Sequence, residues 1–370
     1  MNRKKVVFLV GYFPLAPGGA ELQTFQIASE LKNTHDIFFI SIDDRNKKES
    51  ILHENGFTIY LLPKKNLTRK IFKHNEFMYF SAVKRILAEI KPNIIYQRCA
   101  NYFTWIAHKL QPVYKYRFIY HCANDLEVSA LPQNISLRGF FNLIEKIIIR
   151  RSWRTADCIY VQNDYQYAGF KSLFPESNIK LIYNFSYPPR IDVVKKYEEL
   201  RVVWVANIKP VKNPQAFLRI AKACSHLSQV KFIMIGKAGE EDLMNEINSL
   251  MESQPNFEYV GYKDNGYINN LLQSAHLLVN TSYKEGFSNV FVQSWFRGVP
   301  VLSLYSDPDH IISKNGLGLI ANGNEDRIVD FIIQYASTNE YRTELADRVV
   351  TFANNTLSSS TVLPRILSDF

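Results

Sequence analysis

Glu285 is the carboxylate best placed to do chemistry, in the stretch Tyr-Lys-Glu-Gly-Phe-Ser-Asn-Val-Phe-Val-Gln-Ser-Trp-Phe-Arg-Gly-Val-Pro-Val-Leu-Ser over residues 283–303. An apolar run at 277–280 predicts a buried strand before it, and Glu285-Gly286 turns the chain in a solvent-facing loop. Ser288 or Asn289 can cap a helix running to about Arg297. Gly298 suits the end of that helix, and Pro300 blocks its continuation before Val301-Leu302 starts the next strand. Glu285 and several free backbone N–H groups are thereby set at the C-terminal end of a strand, where open parallel sheets bind ligands. Helix N-termini attract anions such as phosphate, and a carboxylate accepts hydroxyl hydrogen bonds. A ligand that is both phosphate and polyol is a sugar nucleotide.

Three further candidates share that kind of position. Gly18-Gly19 follow the first predicted strand and open a helix to about Leu31. Lacking a Cβ, the pair can take positive φ and let backbone close on a bound group. His121 stands directly at the C-terminal end of a short apolar strand at 117–120. Lys212 lies in the loop Ala206-Asn207-Ile208-Lys209-Pro210-Val211-Lys212-Asn213-Pro214, which follows a strand at 201–205.

The elements that must position these residues form two β/α series. Strands are expected at 6–11, 36–42, 58–62, 93–96, 117–120, 158–162 and 179–183, then at 201–205, 231–235, 257–260, 277–280, 301–302 and 316–320. A polar, proline-rich linker at 184–189 separates the series. We therefore expect a first domain over 1–187, a second over 188–356, and a terminal helix over 357–370 packing back on the first. A length of 370 residues, 46% hydrophobic and 21% charged, suits two globular domains. Cys99, Cys122, Cys158 and Cys224 have no paired spacing, which argues for reduced thiols in the cytoplasm and against a disulfide framework or zinc site. The start, Met1-Asn2-Arg3-Lys4-Lys5, superficially resembles a signal peptide, but its apolar run is short. No stretch has the length to span a bilayer, so a soluble or peripheral protein is expected.

Charge is split unevenly. Residues 1–190 hold 27 Lys and Arg against 15 Asp and Glu, whereas 191–370 hold 17 against 20. The basic half calls for an anionic partner. No nucleic-acid motif is present, and an anionic membrane surface fits better. Lys64, Lys65, Arg69, Lys70 and Lys73 interleave with Leu67, Ile71 and Phe72, and Arg138, Lys146, Arg150, Arg151 and Arg154 share a predicted helix with apolar residues. Both compositions suit anionic headgroups.

The stretch at 283–303 resembles the donor-binding motif of the large group 1 (family 4) retaining glycosyltransferases, which include bacterial capsule, O-antigen and phosphatidylinositol mannosyltransferases. Its two glutamates are separated by seven intervening residues. Glu285 matches the first, Gln293 replaces the second, and Gly286-Phe287-Ser288-Asn289-Val290 and Arg297-Gly298-Val299-Pro300-Val301 follow the pattern. The resemblance covers nearly the whole chain and is strongest over 209–301. It implies a GT-B fold, α/β, in which two Rossmann-like domains face each other across a cleft. It also implies transfer of a sugar from a UDP- or GDP-linked donor, with the anomeric configuration retained. Glu285 would bind donor hydroxyls, Gln293 the ribose, and Lys212 with the N–H groups at 288–290 the leaving diphosphate. Asn207 occupies the place of the family's phosphate-binding arginine, with Lys209 as a substitute. Tyr262 would stack on the base. Gly18-Gly19 would lie beside the diphosphate and acceptor, and His121 would contact the transferred sugar or its phosphate. No cofactor is implied, and no metal is expected, for want of an Asp-X-Asp string or a His and carboxylate cluster to hold one. The acceptor would be a glycan or lipid-linked glycan in cell-surface polysaccharide synthesis. Asn207 and Gln293 leave open a non-catalytic binding protein, and the architecture also leaves open a sugar-nucleotide epimerase.

Overall fold

A computed structural model describes residues 3–11, 18–45, 47–65, 76–129, 137–189, 198–237 and 241–370. The chain divides into two units, one formed by Met1–Tyr183 with Leu363–Phe370 and the other by Asn184–Val362.

Eight strands build the sheet of the first unit: β1 Lys4–Leu9, β2 His35–Asp43, β3 Ser50–Glu54, β4 Phe57–Pro63, β5 Ile94–Arg98, β6 Arg117–His121, β7 Cys158–Val161 and β8 Ile179–Leu181. Their order is β3-β4-β2-β1-β5-β6-β7-β8, with every pairing parallel except β3 against β4. The central strands are covered on both faces, so they read as continuous apolar runs: Val6–Leu9 and Cys158–Val161 are wholly buried. The antiparallel edge strand β3 is an addition to the expected set. Its residues Ser-Ile-Leu-His-Glu are mostly exposed, so no burial pattern marks it.

The second unit has six parallel strands, β9 Leu200–Val205, β10 Val230–Ile235, β11 Phe257–Gly261, β12 Leu277–Asn280, β13 Val301–Ser303 and β14 Gly318–Ile320. Their order is β11-β10-β9-β12-β13-β14. β9 and β12 are therefore neighbours although 71 residues separate their closest ends, Val205 and Leu277 on the sequence, and the loops leaving their C-terminal ends lie side by side. Trp204, Phe217, Phe232 and Phe257 fill the core beneath them. A Cβ on Gly236, at the exit of β10, would stand 2.1 Å from the Ala206 carbonyl, so only glycine fits where the β9 and β10 loops meet.

The terminal helix Ser359–Leu367 ends in a buried polar anchor. Asp369 accepts from Arg117 at 2.7 Å, Lys180 at 2.6 Å and the Tyr160 hydroxyl at 2.8 Å. Phe370 packs on Tyr96. Among the described residues no helix is long and apolar enough to cross a membrane.

Of the basic stretch at 64–73 only Lys64 and Lys65 fall among the described residues. Lys64 pairs with Asp44 at 3.2 Å, and Lys65 donates to the Met78 carbonyl. The second stretch lies on the helix Leu137–Ser152 and the turn after it. There Lys146 and Arg150 both turn inward to the Ser129 carbonyl, while Arg151 and Arg154 are exposed.

Candidate active site

The loops after β9 and β12 bring Lys212 and Glu285 together. Lys212 Nζ stands 2.5 Å from Glu285 Oε1, with side-chain exposures of 24% and 13%. The buried Ser282 donates its hydroxyl to the same oxygen at 2.7 Å. The pair rests on a braced backbone. Trp204 Nε1 donates to the Thr281 hydroxyl, which donates in turn to the Lys212 carbonyl. The Tyr283 amide donates to the Val211 carbonyl, and the Glu285 amide to Ser306 Oγ. Asn184 Nδ2 closes the far side on the Phe287 carbonyl at 2.6 Å. Glu285 is thus a largely enclosed, paired carboxylate, a correction to the solvent-facing loop expected from sequence.

After Glu285 the helix is Asn289–Trp295, shorter than expected. Arg297 and Gly298 fold back in tighter turns, donating to the Ser294 and Trp295 carbonyls, and Gly298 takes φ of +64°. Gln293 is buried, at 5% exposure. Its Nε2 donates to Asn265 Oδ1 at 2.5 Å. Asn265 begins the helix Asn265–Ser274, directly after the segment holding Tyr262. Arg297 holds the Gln293 and Asn269 carbonyls, and burial lowers its guanidinium pKa. Tyr262 is exposed beyond Gly261, whose φ is +76°. Asn207 and Lys209 are exposed in the same loop as Lys212. The structure therefore joins Lys212 to Glu285 and ties Gln293 to the neighbourhood of Tyr262.

Sequence reasoning discounts a metal for want of an Asp-X-Asp string, yet Asp307-Pro308-Asp309 followed by His310 is one. Asp307 has both carboxylate oxygens in use. Oδ1 accepts from the Ile312 amide at 2.8 Å, and Oδ2 from the Ser313 amide and hydroxyl at 3.1 and 2.7 Å. The string starts a short helix. Among the described residues no group of three His, Cys, Asp or Glu side chains is placed to hold a metal.

In the first unit, Gly18 has φ −90° and ψ −173° and caps the helix Gly19–Leu31. Neither glycine takes the positive φ expected of the pair. Glu21 reaches back to the Gly18 amide at 3.1 Å, and a Cβ at Gly18 would meet only the movable end of that side chain, at 2.8 Å.

His121 ends β6 at 2% exposure, between Tyr96 and Tyr160. Its Nδ1 lies 2.6 Å from the Tyr96 hydroxyl and 3.4 Å from an Arg98 N–H group. A guanidinium only donates, so Nδ1 is the acceptor and Nε2 carries the proton. Nε2 has no partner among the described residues. Burial, with Arg98 adding to it, pushes the imidazole well below its usual range, so His121 is a neutral N–H donor. In the turn after β6, Glu127 is a buried carboxylate that the sequence does not single out. It accepts from the Tyr120 hydroxyl, the Ala123 amide and Asn124 Nδ2, and burial raises its pKa.

A pH consequence follows for His121. Unfolded, it titrates near about 6.5; folded, it stays neutral. Below that pH the unfolded chain binds a proton that the native state does not, so stability falls with pH by up to about 1.4 kcal/mol per unit. Thermal melts between pH 7.5 and 5 should show the wild type losing more than His121→Gln, which cannot titrate. Parallel losses would contradict a buried neutral histidine.

The comparisons with known proteins bear on both units. Residues 199–338 match the family described as glycosyl transferases group 1, and residues 15–163 the family described as glycosyl transferase 4-like. The lipopolysaccharide core biosynthesis glycosyltransferase LpsE of Rhizobium meliloti (strain 1021) is 23% identical over 201 residues, 53% of this chain. The match spans 58% of the length of that relative. A sucrose-phosphate synthase from Thermosynechococcus elongatus superposes with a TM-score of 0.79 at 14% identity, covering 99% of this chain and 98% of that one. Anabaena HepE in complex with UDP-glucose gives 0.73 at 16% identity, covering 99% and 100%.

Proposed function

The chain belongs to the group 1 glycosyltransferases of GT-B fold, and from that premise we propose that it moves a hexosyl group from a UDP- or GDP-linked donor to a glycan. The anomeric configuration is retained and no metal takes part. The observation that carries this reading is the Lys212–Glu285 pair at the C-terminal ends of β9 and β12, where a parallel sheet receives its ligand. Lys212, with Lys209, Asn207 and the backbone at Gly286–Phe287–Ser288–Asn289–Val290, receives the diphosphate. Negative charge grows on that leaving group as the glycosidic bond breaks, and a cation fixed beforehand lowers the barrier most. Glu285 accepts hydroxyl hydrogen bonds from the donor sugar, Gln293 Oε1 one from the ribose, and Tyr262 stacks on the base.

The first unit takes the acceptor, a glycan or lipid-linked glycan of cell-surface polysaccharide, with Gly18, Gly19 and His121 contributing there. HepE is a structural neighbour crystallised with UDP-glucose, and LpsE is a relative named for lipopolysaccharide core synthesis; both support the reading. Work at the cytoplasmic face of an anionic membrane rests on the basic charge of residues 1–190.

A panel of UDP- and GDP-sugars, with and without glycan acceptors, tests the proposal. Nucleoside diphosphate should be released from at least one donor, faster with acceptor. Interconversion of the sugar without acceptor would identify an epimerase, and absence of any nucleotide binding a glycan-binding scaffold. In calorimetry with free UDP and GDP, Gln293→Ala should weaken binding. Gln293→Glu should keep most of it, because the Asn265 amide can flip and donate to the carboxylate. Equal binding by all three proteins would remove Gln293 from the site.

A further inference from the structure

The donor reading leaves one question that the Lys212–Glu285 geometry answers: how the site tells a loaded donor from the nucleoside diphosphate it becomes. Without ligand, the two groups assigned to opposite ends of the donor are bound to each other at 2.5 Å. Glu285 Oε1 takes Lys212 and Ser282 together. Ser282 is 1% exposed, so its hydroxyl stays on that oxygen, and the fully buried Thr281 holds the Lys212 backbone through its carbonyl.

Any diphosphate that recruits Lys212 must take it from Glu285. A nucleotide sugar replaces what it removes, since its hydroxyls donate to the carboxylate as its diphosphate gains the ammonium. A free nucleoside diphosphate takes the cation and returns nothing. It leaves a largely enclosed carboxylate with Ser282 alone, beside a second anion. Removing one partner of an enclosed ion pair is costly because the remaining charge loses its compensation.

We propose that the Lys212–Glu285 pair, with Ser282 as its positioning residue, is the specificity determinant that favours the intact sugar nucleotide over its nucleoside diphosphate product. The device rests on the donor-site reading above and adds to it a partner exchange at each end of the catalytic cycle. When the sugar leaves, Glu285 loses its hydroxyl donors and competes for Lys212 again, which expels the product.

The test is calorimetry with matched probes, UDP against UDP-glucose and GDP against GDP-mannose, on wild type, Glu285→Gln and Ser282→Ala. Wild type should bind the sugar nucleotide of one pair more tightly than its diphosphate. In Glu285→Gln the free diphosphate should bind more tightly than in wild type, by about tenfold or more, and the preference should collapse. Ser282→Ala should move both quantities the opposite way, with weaker free-diphosphate binding and a wider preference, because the carboxylate that gives up Lys212 then keeps no donor, and it serves if the first variant does not fold. Weaker or unchanged diphosphate binding in folded Glu285→Gln would overturn the exchange while leaving the donor site standing. Failure of wild type to bind any of the four probes would overturn the donor site itself, and the exchange with it.

Discussion

Glu285→Ala and Glu285→Gln are expected to lose transfer almost completely while the protein keeps its fold. A hydrogen bond to a charged group is worth about 1.5–3 kcal/mol, so removing one sugar hydroxyl's bond to the carboxylate slows transfer by roughly 10- to 150-fold, and removing a second multiplies the effect. The fold survives because the loop does not depend on the carboxylate. Its backbone is held by Ser306, the Val211 carbonyl and Asn184, and Lys212 is exposed enough to turn to solvent. Initial rates with the best donor, paired with thermal melts, check both halves of the expectation. Near-normal turnover in folded variant protein would strip Glu285 of its role. A large fall in melting temperature would recast it as a structural ion pair.

How much of this could be seen in the chain beforehand depends on whether a feature is local. The strand at Leu277–Asn280 is found at the bounds that its apolar run predicts. Strands buried on both faces leave an unbroken apolar signature. β3 leaves none, because it is an exposed edge whose pairing with β4 needs no apolar face. The same distinction governs the site. Glu285, Lys212 and Gln293 are recognisable from local motifs. The contact between the first two is not, because residues 73 apart meet only through the adjacency of β9 and β12. Strand order is a property of the packed sheet. Ser282 and Thr281 carry only a faint signal, as polar residues ending an apolar strand.

The first unit shows the same limit. Arg98 and Tyr96 are two apart on β5, and Arg98 lies in register with His121 on β6. Period-two geometry puts their side chains on one face of the sheet, so the state of His121 depends on a neighbouring strand. Gly18-Gly19 shows the converse, a motif read correctly in place and wrongly in conformation. Gly18 sits in extended backbone as the helix cap, with its amide held by the Glu21 carboxylate three residues on.

Lys212→Ala should match Glu285→Ala in severity, and the two losses should not multiply. Removing a preorganised charge from the leaving group typically costs about 10²–10³ in turnover. Here the variant also leaves Glu285 with only Ser282, so donor binding suffers beside an uncompensated carboxylate. Lys212→Arg restores the charge, but a planar fork cannot reproduce a compact ammonium at 2.5 Å from one oxygen. It should recover part of the rate and little of the donor affinity. In the double variant the stranded carboxylate is gone, so its loss should be smaller than the product of the single losses. Groups that act as a unit behave in this way. The measurement is a double-mutant cycle on kcat and KM with the preferred donor, using variants whose melting curves match wild type. Strictly multiplicative losses would mean that Lys212 and Glu285 serve the donor independently, and that their pairing has no energetic consequence for catalysis.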